Sequence, residues 1–227
     1  LLTPHLGAST YDAKEGVSVS ICQQTINFLE NNKLNNVVNL PISDMGILQE
    51  IQPYLKLSEL VGKIQSQLID DPILKIKIIC YGSIGKVKVK GINKPISMAF
   101  IKGLLSNVID NRINYINALS IAEERGIEIV NTLNSQIDKY ENLIDTYVYT
   151  NNRVINVGGG GFFGNEFRIL KFMNHDINFI PNGHILLKRN KDIPGVVGKV
   201  GSILGKYGVN IAEYILSRSH KEEATIS

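Results

Sequence analysis

The sequence predicts a mixed α/β (α+β) fold arranged as three successive units. Three observations indicate this class: helical periodicity near the start, a series of closely spaced strand patterns in the middle, and a strand–helix–strand–strand pattern at the end. With 227 residues the chain has room for three small domains. We expect the units to span residues 1–36, 37–181 and 182–227.

The first unit begins with the apparent end of a buried strand and a loop, residues 1–10. From Tyr11 to about Asn31 the apolar positions recur at helical spacing, at Val17, Ile21, Ile26 and Leu29. The polar segment Glu30–Asn36 ends this helix and is typical of a linker.

The second unit combines helices with a run of strands. An amphipathic helix is entered near Pro53, because proline is tolerated in a first helical turn. Lys75–Tyr81 alternates as a strand does, Pro95 leads an apolar helix, and a short helix ends with Gly126 at its C′ position. Five further strands are predicted, at residues 127–133, 143–150, 153–157, 166–172 and 177–181.

The sequence pattern of the third unit predicts the order strand, helix, strand, strand. The pattern predicts strands at residues 184–190, 209–218 and 222–227 and a helix over 194–208. The apolar positions of that helix should face inward: Val196, Val197, Val200, Ile203 and Leu204. This βαββ order is the first part of a ferredoxin-like unit, whose completion would be another helix and strand.

Charge and cysteine content narrow the class of partner. The net charge of +3 is scattered, which favours an anionic small molecule weakly and gives no clustered basic face for nucleic acid. No apolar run approaches the roughly 18 residues of a membrane span. Cys22 and Cys80 lie outside any CxxC motif or metal-ligand spacing, so we expect two free, buried thiols, no metal site and a reducing compartment.

A glycine run in the middle unit satisfies the dinucleotide pattern G-x-G-x-x-G literally, at residues 159–164. That motif holds a pyrophosphate only where a strand turns into a helix, because the phosphate lies on the helix N-terminus. Here an alternating, strand-like segment follows. We therefore reject a cofactor site and expect a hairpin turn or a close backbone approach.

The opening loop "TPHLGAST" presents His5 between a strand end and a helix. Histidine has the near-neutral pKa needed to take a proton from an alcohol, and Gly7 leaves space for a flat ring. On spacing alone, a histidine that caps or bridges the loop is the alternative.

This loop and the following "YDAKEGVSVSICQQTINFL" resemble the last catalytic segment of the D-2-hydroxyacid dehydrogenase family, particularly its phosphoglycerate dehydrogenases. The resemblance implies that His5 is the catalytic acid/base. The family's partner glutamate, its substrate-binding arginine and its NAD loop lie upstream of this segment. NAD would thus be bound mainly by an upstream domain, with at most Gly7 beside it, and the isolated chain should be inactive.

The middle unit resembles the allosteric substrate-binding domain that lies between catalytic core and regulatory tail in long-form phosphoglycerate dehydrogenases. The segments "AFIKGLLSNVIDNRINYINALSIAEERGIEI" and "GGGGFFGNEFRILKF" carry this likeness. It implies an anion site for substrate, for which we select Lys102, Arg125 and Arg168 because they suit phosphate or carboxylate. The alternative is that each is a solvated or snorkelling surface cation.

The last unit, "LLKRNKDIPGVVGKVGSILGKYGVNIAEYILSR", resembles the first part of an ACT domain, a module that senses amino acids. In serine-regulated dehydrogenases the effector-binding positions match Asn190, Asp192 and Asn210. The helix start at Pro194 suits a carboxylate and Asp192 suits an ammonium, although Asp192 is equally explained as a helix N-cap. ACT modules pair edge to edge, so the likeness implies a homo-oligomer, dimer or tetramer, with L-serine bound at the seam.

Together these likenesses imply the C-terminal part of an enzyme that oxidises 3-phospho-D-glycerate to 3-phosphohydroxypyruvate with NAD in L-serine biosynthesis. We expect it in the cytoplasm, or in a plastid if a transit peptide precedes this sequence. The alternative is a stand-alone amino-acid-sensing or assembly module without catalytic activity, which would have no use for the His5 loop. The regulatory half of a serine dehydratase is less consistent, because cluster-ligating cysteines are missing from the sequence.

Overall fold

The structure is a computed structural model and describes residues 7–31, 45–82, 84, 92–107, 113–136, 140–163, 166–173, 175–191, 193–218 and 224–226. The chain divides into two compact units, Leu1–Ile51 and Gln52–Ser227. Five helices and nine strands in the described residues confirm the mixed α/β class. The domain boundaries after residues 36 and 181 stay predictions.

Helix α1, Tyr11–Asn31, confirms the helix expected in the opening segment. Its first turn is capped by Thr10, whose Oγ1 accepts a hydrogen bond from the Ala13 amide at 3.3 Å. No residue of α1 is buried. Cys22 is therefore an exposed thiol and the expectation of burial is wrong for it, whereas Cys80 is free and buried as expected.

A six-stranded sheet forms the centre of the second unit. Its strands are β1 Ile73–Gly82, β2 Glu128–Asn134, β3 Asn142–Thr150, β4 Val154–Phe163, β5 Glu166–Phe172 and β6 His175–Phe179. Their order is β2-β1-β3-β4-β5-β6, and only the β1–β2 pair is parallel. The strands expected from the alternating patterns are confirmed, with β4 longer than its pattern indicated.

The parallel β1–β2 pair requires a crossover, which two helices provide. These are α3, Asn93–Leu105, and α4, Ala118–Glu124. Gly126 ends α4 as expected: it has a φ of 71°, and the Ile127 amide reaches back to the Ala122 carbonyl at 3.0 Å. The chain can thus turn directly from α4 into β2.

Helix α2, Met45–Ser66, begins earlier than the sequence indicated. Pro53 lies inside this helix, so the expectation that it marks the entry is wrong. The physical reason is that a proline removes only one helical hydrogen bond, a cost that packing of the surrounding turns can outweigh. Leu57 and Val61 of α2 are both fully buried.

Helices α2 and α3 approach each other so closely that their contact needs glycine. A Cβ atom added at Gly62 would lie 2.3 Å from the Phe100 carbonyl oxygen, and one added at Gly103 would lie 2.1 Å from the Glu59 carbonyl oxygen. Backbone atoms cannot move aside as a flexible side chain can. The Ser58 hydroxyl also donates to the Ile96 carbonyl at 2.9 Å, so the two helices form one layer.

A buried glutamine joins this helical layer to the sheet. Gln65 of α2 is fully buried, and its Nε2 donates to the Ile155 carbonyl of β4 at 2.9 Å. Its Oε1 accepts from the Thr146 hydroxyl of β3 at 2.9 Å. Because an unpaired buried amide costs about 1–3 kcal/mol, these bonds specify where α2 lies on the sheet.

An ionic cluster links α2, α3 and the segment before α4. Glu59 accepts from Lys102 at 2.8 Å, from Tyr115 at 2.6 Å and from Lys63 at 2.9 Å. The Lys102 ammonium also lies 4.3 Å from the centre of the Tyr115 ring. Burial alone would raise the pKa of Glu59, but the hydrogen bonds from Lys102, Lys63 and Tyr115 outweigh it and lower the pKa from 4.5 to about 2.

The last part of the chain contains β7 Arg189–Lys191, α5 Val196–Lys206, β8 Ser217–Arg218 and β9 Ala224–Ile226. These strands form a second sheet in the order β7-β9-β8, with both pairs antiparallel. This confirms the βαββ order, although β7 and β8 are shorter than predicted. No residue of α5 is buried, and Val197 and Ile203 are each 49% exposed, so the expected inward face is only half-covered.

We expect Glu59→Gln to lower the free energy of unfolding by about 2 kcal/mol at neutral pH, because the charged hydrogen bonds from Lys102 and Lys63 are weakened. A depressed carboxyl pKa stabilises the fold above the unfolded pKa of 4.5 and loses that effect as the pH falls toward 2. The difference between wild type and variant should shrink over this interval. Urea unfolding at pH 7, 4 and 2.5 measures it.

Glu128→Gln is the matched control for this change. Glu128 pairs with Lys75 at 2.8 Å, but the two side chains are 61% and 36% exposed. Such surface pairs contribute less than about 1 kcal/mol. Equal, pH-independent losses in the two variants would contradict the assignment of the acid-sensitive stability to Glu59.

Candidate functional site

The proposed acid/base, His5, lies outside the described residues. Gly7, the only nearby cofactor candidate, is exposed in the turn that precedes α1. The described turn at Gly7 leads into α1, and Thr10 caps the first turn of that helix.

The glycine run does not provide a dinucleotide cradle, which confirms its rejection. Gly158–Gly160 lie within β4, and another strand, β5, follows instead of a helix. The space beside Gly159 is taken up by α2: an added Cβ would lie 2.7 Å from Leu57 Cδ1. This is the close approach expected, while the hairpin position at residues 164–165 lies outside the described residues. The glycine run therefore does not fit NAD.

The three cations selected for an anion site occupy different parts of the second unit. Lys102 lies on α3 and is paired with Glu59. Arg125 is exposed at the end of α4, just before β2, and Arg168 lies half-buried on β5. Strands β2 and β5 are four positions apart in the sheet, a separation of about 19 Å. The structure therefore does not bring Arg125 and Arg168 into one site.

Arg168 suits an anion site better than Lys102 does. Its Nε donates to the Asn178 side-chain oxygen on the neighbouring strand β6. Asn178 carries no charge, so this bond orients the guanidinium without neutralising it. Lys102, in contrast, already has the Glu59 carboxylate at 2.8 Å, which gives it a structural role between α2 and α3.

A polar cluster on the sheet was not anticipated from the sequence. The Asp145 cluster consists of Asp145 and Tyr147 on β3, Asn156 on β4 and Lys171 on β5. Asp145 is fully buried and accepts hydrogen bonds from Asn156 at 2.7 Å, Lys171 at 3.0 Å and Tyr147 at 3.1 Å. Opposite it, Gly158 leaves room, because a Cβ there would lie 3.2 Å from Asp145 Oδ1.

The Asp145 cluster is built to hold a charge and not to transfer a proton. Burial raises the pKa of the Tyr147 hydroxyl, and the negative charge of Asp145 raises it further, so Tyr147 remains a donor. Lys171 matches the carboxylate charge directly. The cluster thus ties three adjacent strands together through side chains. The signal that identifies this cluster is the register of the paired strands, in which Asp145 lies opposite Gly158 and Gly158 lies opposite Lys171.

The effector candidates lie at the start of the last unit. Asn190 is half-buried on β7, where its Nδ2 donates to the Lys191 carbonyl at 3.0 Å, and Asn210 is exposed after α5. Asp192 lies outside the described residues. The N-cap of α5 is Gly195, with a φ of 88° and no side-chain capping bond. Amides in the first turn of a helix lack intrahelical acceptors, so this end of α5 can receive a carboxylate.

Among the described residues, no group of three or more His, Cys, Asp or Glu side chains is arranged to hold a metal ion. None of the helices described is both long and apolar enough to cross a bilayer.

Known proteins are similar to this chain over most of its length. The D-3-phosphoglycerate dehydrogenase of Archaeoglobus fulgidus is 35% identical over 217 residues, which cover 96% of this chain and 40% of the relative. The enzyme of that name from Synechocystis sp. is 33% identical, covering 96% of this chain and 39% of the relative. Methanocaldococcus jannaschii has one that is 33% identical, over 95% of this chain. The chain thus spans about 40% of the length of these curated relatives.

A family model for the D-3-phosphoglycerate dehydrogenase intervening domain matches residues 50–173. These residues contain α2 from Glu50 onward, the strands β1 to β5 and the crossover helices between β1 and β2. The match therefore includes Gly62 and Gly103 at the helix crossing and the whole Asp145 cluster. The chain belongs to the D-3-phosphoglycerate dehydrogenase intervening-domain family.

Proposed function

We propose that this chain contributes the regulatory part, and one catalytic residue, of an NAD-dependent D-3-phosphoglycerate dehydrogenase of L-serine biosynthesis. The observation that carries the proposal is the similarity to enzymes of that name along about 96% of the chain. The proposed reaction is oxidation of 3-phospho-D-glycerate to 3-phosphohydroxypyruvate, in the cytoplasm. Polypeptide outside this sequence would hold NAD, since the glycine run in β4 does not fit it.

Within this proposal His5 is the catalytic acid/base. Oxidation of the secondary alcohol removes a hydride, which NAD accepts, and a proton from the hydroxyl group. An imidazole with a near-neutral pKa is suited to take that proton and to return it in the reverse direction. The remaining groups needed, a carboxylate partner and an arginine for the substrate carboxylate, are not assigned to any residue of this chain.

The other units supply regulation in the proposed enzyme. Arg168 is the residue of the sheet that we assign to an anion such as phosphate or 3-phosphoglycerate, because its guanidinium is oriented but not neutralised by Asn178. L-Serine would bind at the start of α5, with its carboxylate on the helix N-terminus and its ammonium near Asp192. Asn190 and Asn210 would supply amide donors and acceptors, and a second copy of the chain would complete the seam.

The activity test joins this chain to the parts of the Archaeoglobus fulgidus relative that lie outside the match. This chimera should reduce NAD with 3-phosphoglycerate, whereas the 227-residue chain alone should not. Replacing His5 with Asn should lower kcat about 10²–10⁴-fold with little change in KM, because an amide cannot accept the proton. Stopped-flow absorbance of NADH measures both constants.

His184→Asn is the control, since His184 is exposed at the start of the last unit and has no proposed role. Turnover by the isolated chain, or a chimera equally active with Asn at position 5, would refute the catalytic assignment.

Anion binding is tested on the 227-residue chain with inorganic phosphate and with 3-phosphoglycerate. Arg168→Ala should weaken binding at least about ten-fold, because a charged, bidentate donor is lost. Arg153→Ala is the matched control: Arg153 lies 3.2 Å from Asp70, so its charge is already paired. Isothermal titration with unchanged affinity in the Arg168 variant would remove that residue from the site.

Serine regulation is tested in the chimera by inhibition of its dehydrogenase activity. L-Serine should inhibit saturably, and Asn210→Ala should raise the half-inhibitory concentration at least about ten-fold, because a donor and an acceptor for the zwitterion are removed together. Asn182→Ala, at an exposed position before β7, serves as control. An uninhibited chimera would leave the last unit with an assembly role only.

A further inference from the structure

One edge of the central sheet has no neighbouring strand within the described part of the chain. In the described part of the chain, β2 pairs with β1 on one side and with no strand on the other. The opposite edge is approached by the last unit, where the Ser217 hydroxyl donates to the Asp176 carbonyl of β6. Among the described residues the two edges therefore differ: the last part of the chain contacts β6, whereas no strand lies beside the outer side of β2.

The β2 edge lacks the features that normally prevent strand pairing. Natural edge strands carry lysines, prolines, bulges or inward-pointing charges that discourage contact with another strand. In β2 the only charged residue is Glu128, at its first position, where Lys75 pairs with it at 2.8 Å. The register with β1 runs without a bulge from Glu128 to Asn134. Residues 131–134 are all exposed, and Leu133 is 40% exposed.

The sequence of β2, Glu-Ile-Val-Asn-Thr-Leu-Asn, is complementary to itself in the antiparallel direction. If two copies pair about an axis through Asn131, Ile129 lies opposite Leu133 and Val130 lies opposite Thr132. Both are favourable cross-strand pairs, one apolar and one between β-branched residues. At the ends Glu128 lies opposite Asn134, so no like charges face each other.

Neighbouring registers are less favourable. A two-fold axis perpendicular to the sheet leaves the helical face of both copies on the same side. Side chains alternate between the two faces, so this axis must lie midway between the two copies of one residue. The register can therefore shift only by moving that central position one residue at a time. Centred on Val130, it would place Ile129 opposite Asn131. Centred on Thr132, it would place Leu133 opposite Asn131. Each alternative sets an aliphatic side chain against an amide and shortens the paired segment.

We propose that β2 pairs antiparallel with β2 of a second copy of this chain, about a two-fold axis at Asn131. The two six-stranded sheets would then join into one continuous sheet, with both helical layers on the same face. The pairing buries Ile129 and Leu133 of both copies and satisfies the open backbone groups of β2. This proposed pairing depends only on the fold of the six-stranded sheet and not on the dehydrogenase reaction.

The first test is a disulfide cross-link in a Cys22→Ser background, which removes the exposed native thiol. Opposite residues in an antiparallel pair have Cα atoms about 4.5–5.5 Å apart, within the range that a disulfide spans. Asn131→Cys should thus form a covalent dimer under mild oxidation. Asn134→Cys should not, because its two copies would lie about 20 Å apart.

The second test measures the dimer without a new thiol. Asn131→Asp keeps an oxygen that can accept from the Ser97 hydroxyl, which bonds Asn131 Oδ1 at 2.7 Å, so each chain should still fold. It also places two carboxylates opposite each other, which should raise the dimer dissociation constant at least about ten-fold. Asn151→Asp, with the same charge change in the exposed β3–β4 turn, is the control in sedimentation equilibrium.

Selective cross-linking at position 131 together with weaker association of the Asn131→Asp chain supports the proposal. Equal cross-linking at positions 131 and 134, a wild-type chain that stays monomeric, or an Asn131→Asp dimer as tight as the Asn151→Asp dimer overturns it.

Discussion

The contact between α2 and α3 is the constraint on which the second unit depends. Gly62 and Gly103 allow the two helix backbones to approach within van der Waals distance, where any side chain would meet a carbonyl oxygen. That approach is what places Glu59 within 2.8 Å of Lys102 and Ser58 within 2.9 Å of the Ile96 carbonyl. The helices consequently cover the sheet as a single layer. The connection from β1 through α3 and α4 to the parallel strand β2 can then pass across that face of the sheet.

The helical layer gives the sheet two chemically different faces. The covered face holds apolar residues such as Ile144 and Val148, both fully buried, with Gln65 as a polar bridge. The alternate residues of β3, Asp145 and Tyr147, lie on the other face with Lys171. The charged side chains of Asp145 and Lys171 thus lie on the face opposite α2 and α3, and the register places Arg168 of β5 on that same face. Among the helices, by contrast, the charge of Lys102 is already paired with Glu59.

The sequence predicted local features well, because they depend on neighbouring residues. Alternation identified β1, β3 and β5, and Gly126 marked the end of α4. Features that join distant segments were missed: Lys102 and Glu59 are 43 residues apart, and Asp145 and Lys171 are 26 apart. A single aspartate within a strand pattern looks like a solvent-facing residue until the register shows its partner. Pro53 misled because helix packing outweighed a local preference.

Gln65 has a consequence for how this domain assembles. Its side-chain amide accepts a hydrogen bond from β3 and donates one to β4. Both bonds can form only when these two strands are paired. If α2 were displaced along the sheet by one residue, it would move about 1.5 Å. The side-chain nitrogen and oxygen of Gln65 would then lack hydrogen-bond partners in an apolar environment. The two hydrogen bonds of Gln65 can therefore form together only when α2 occupies one position on the paired strands, so this side chain fixes the register between helix and sheet.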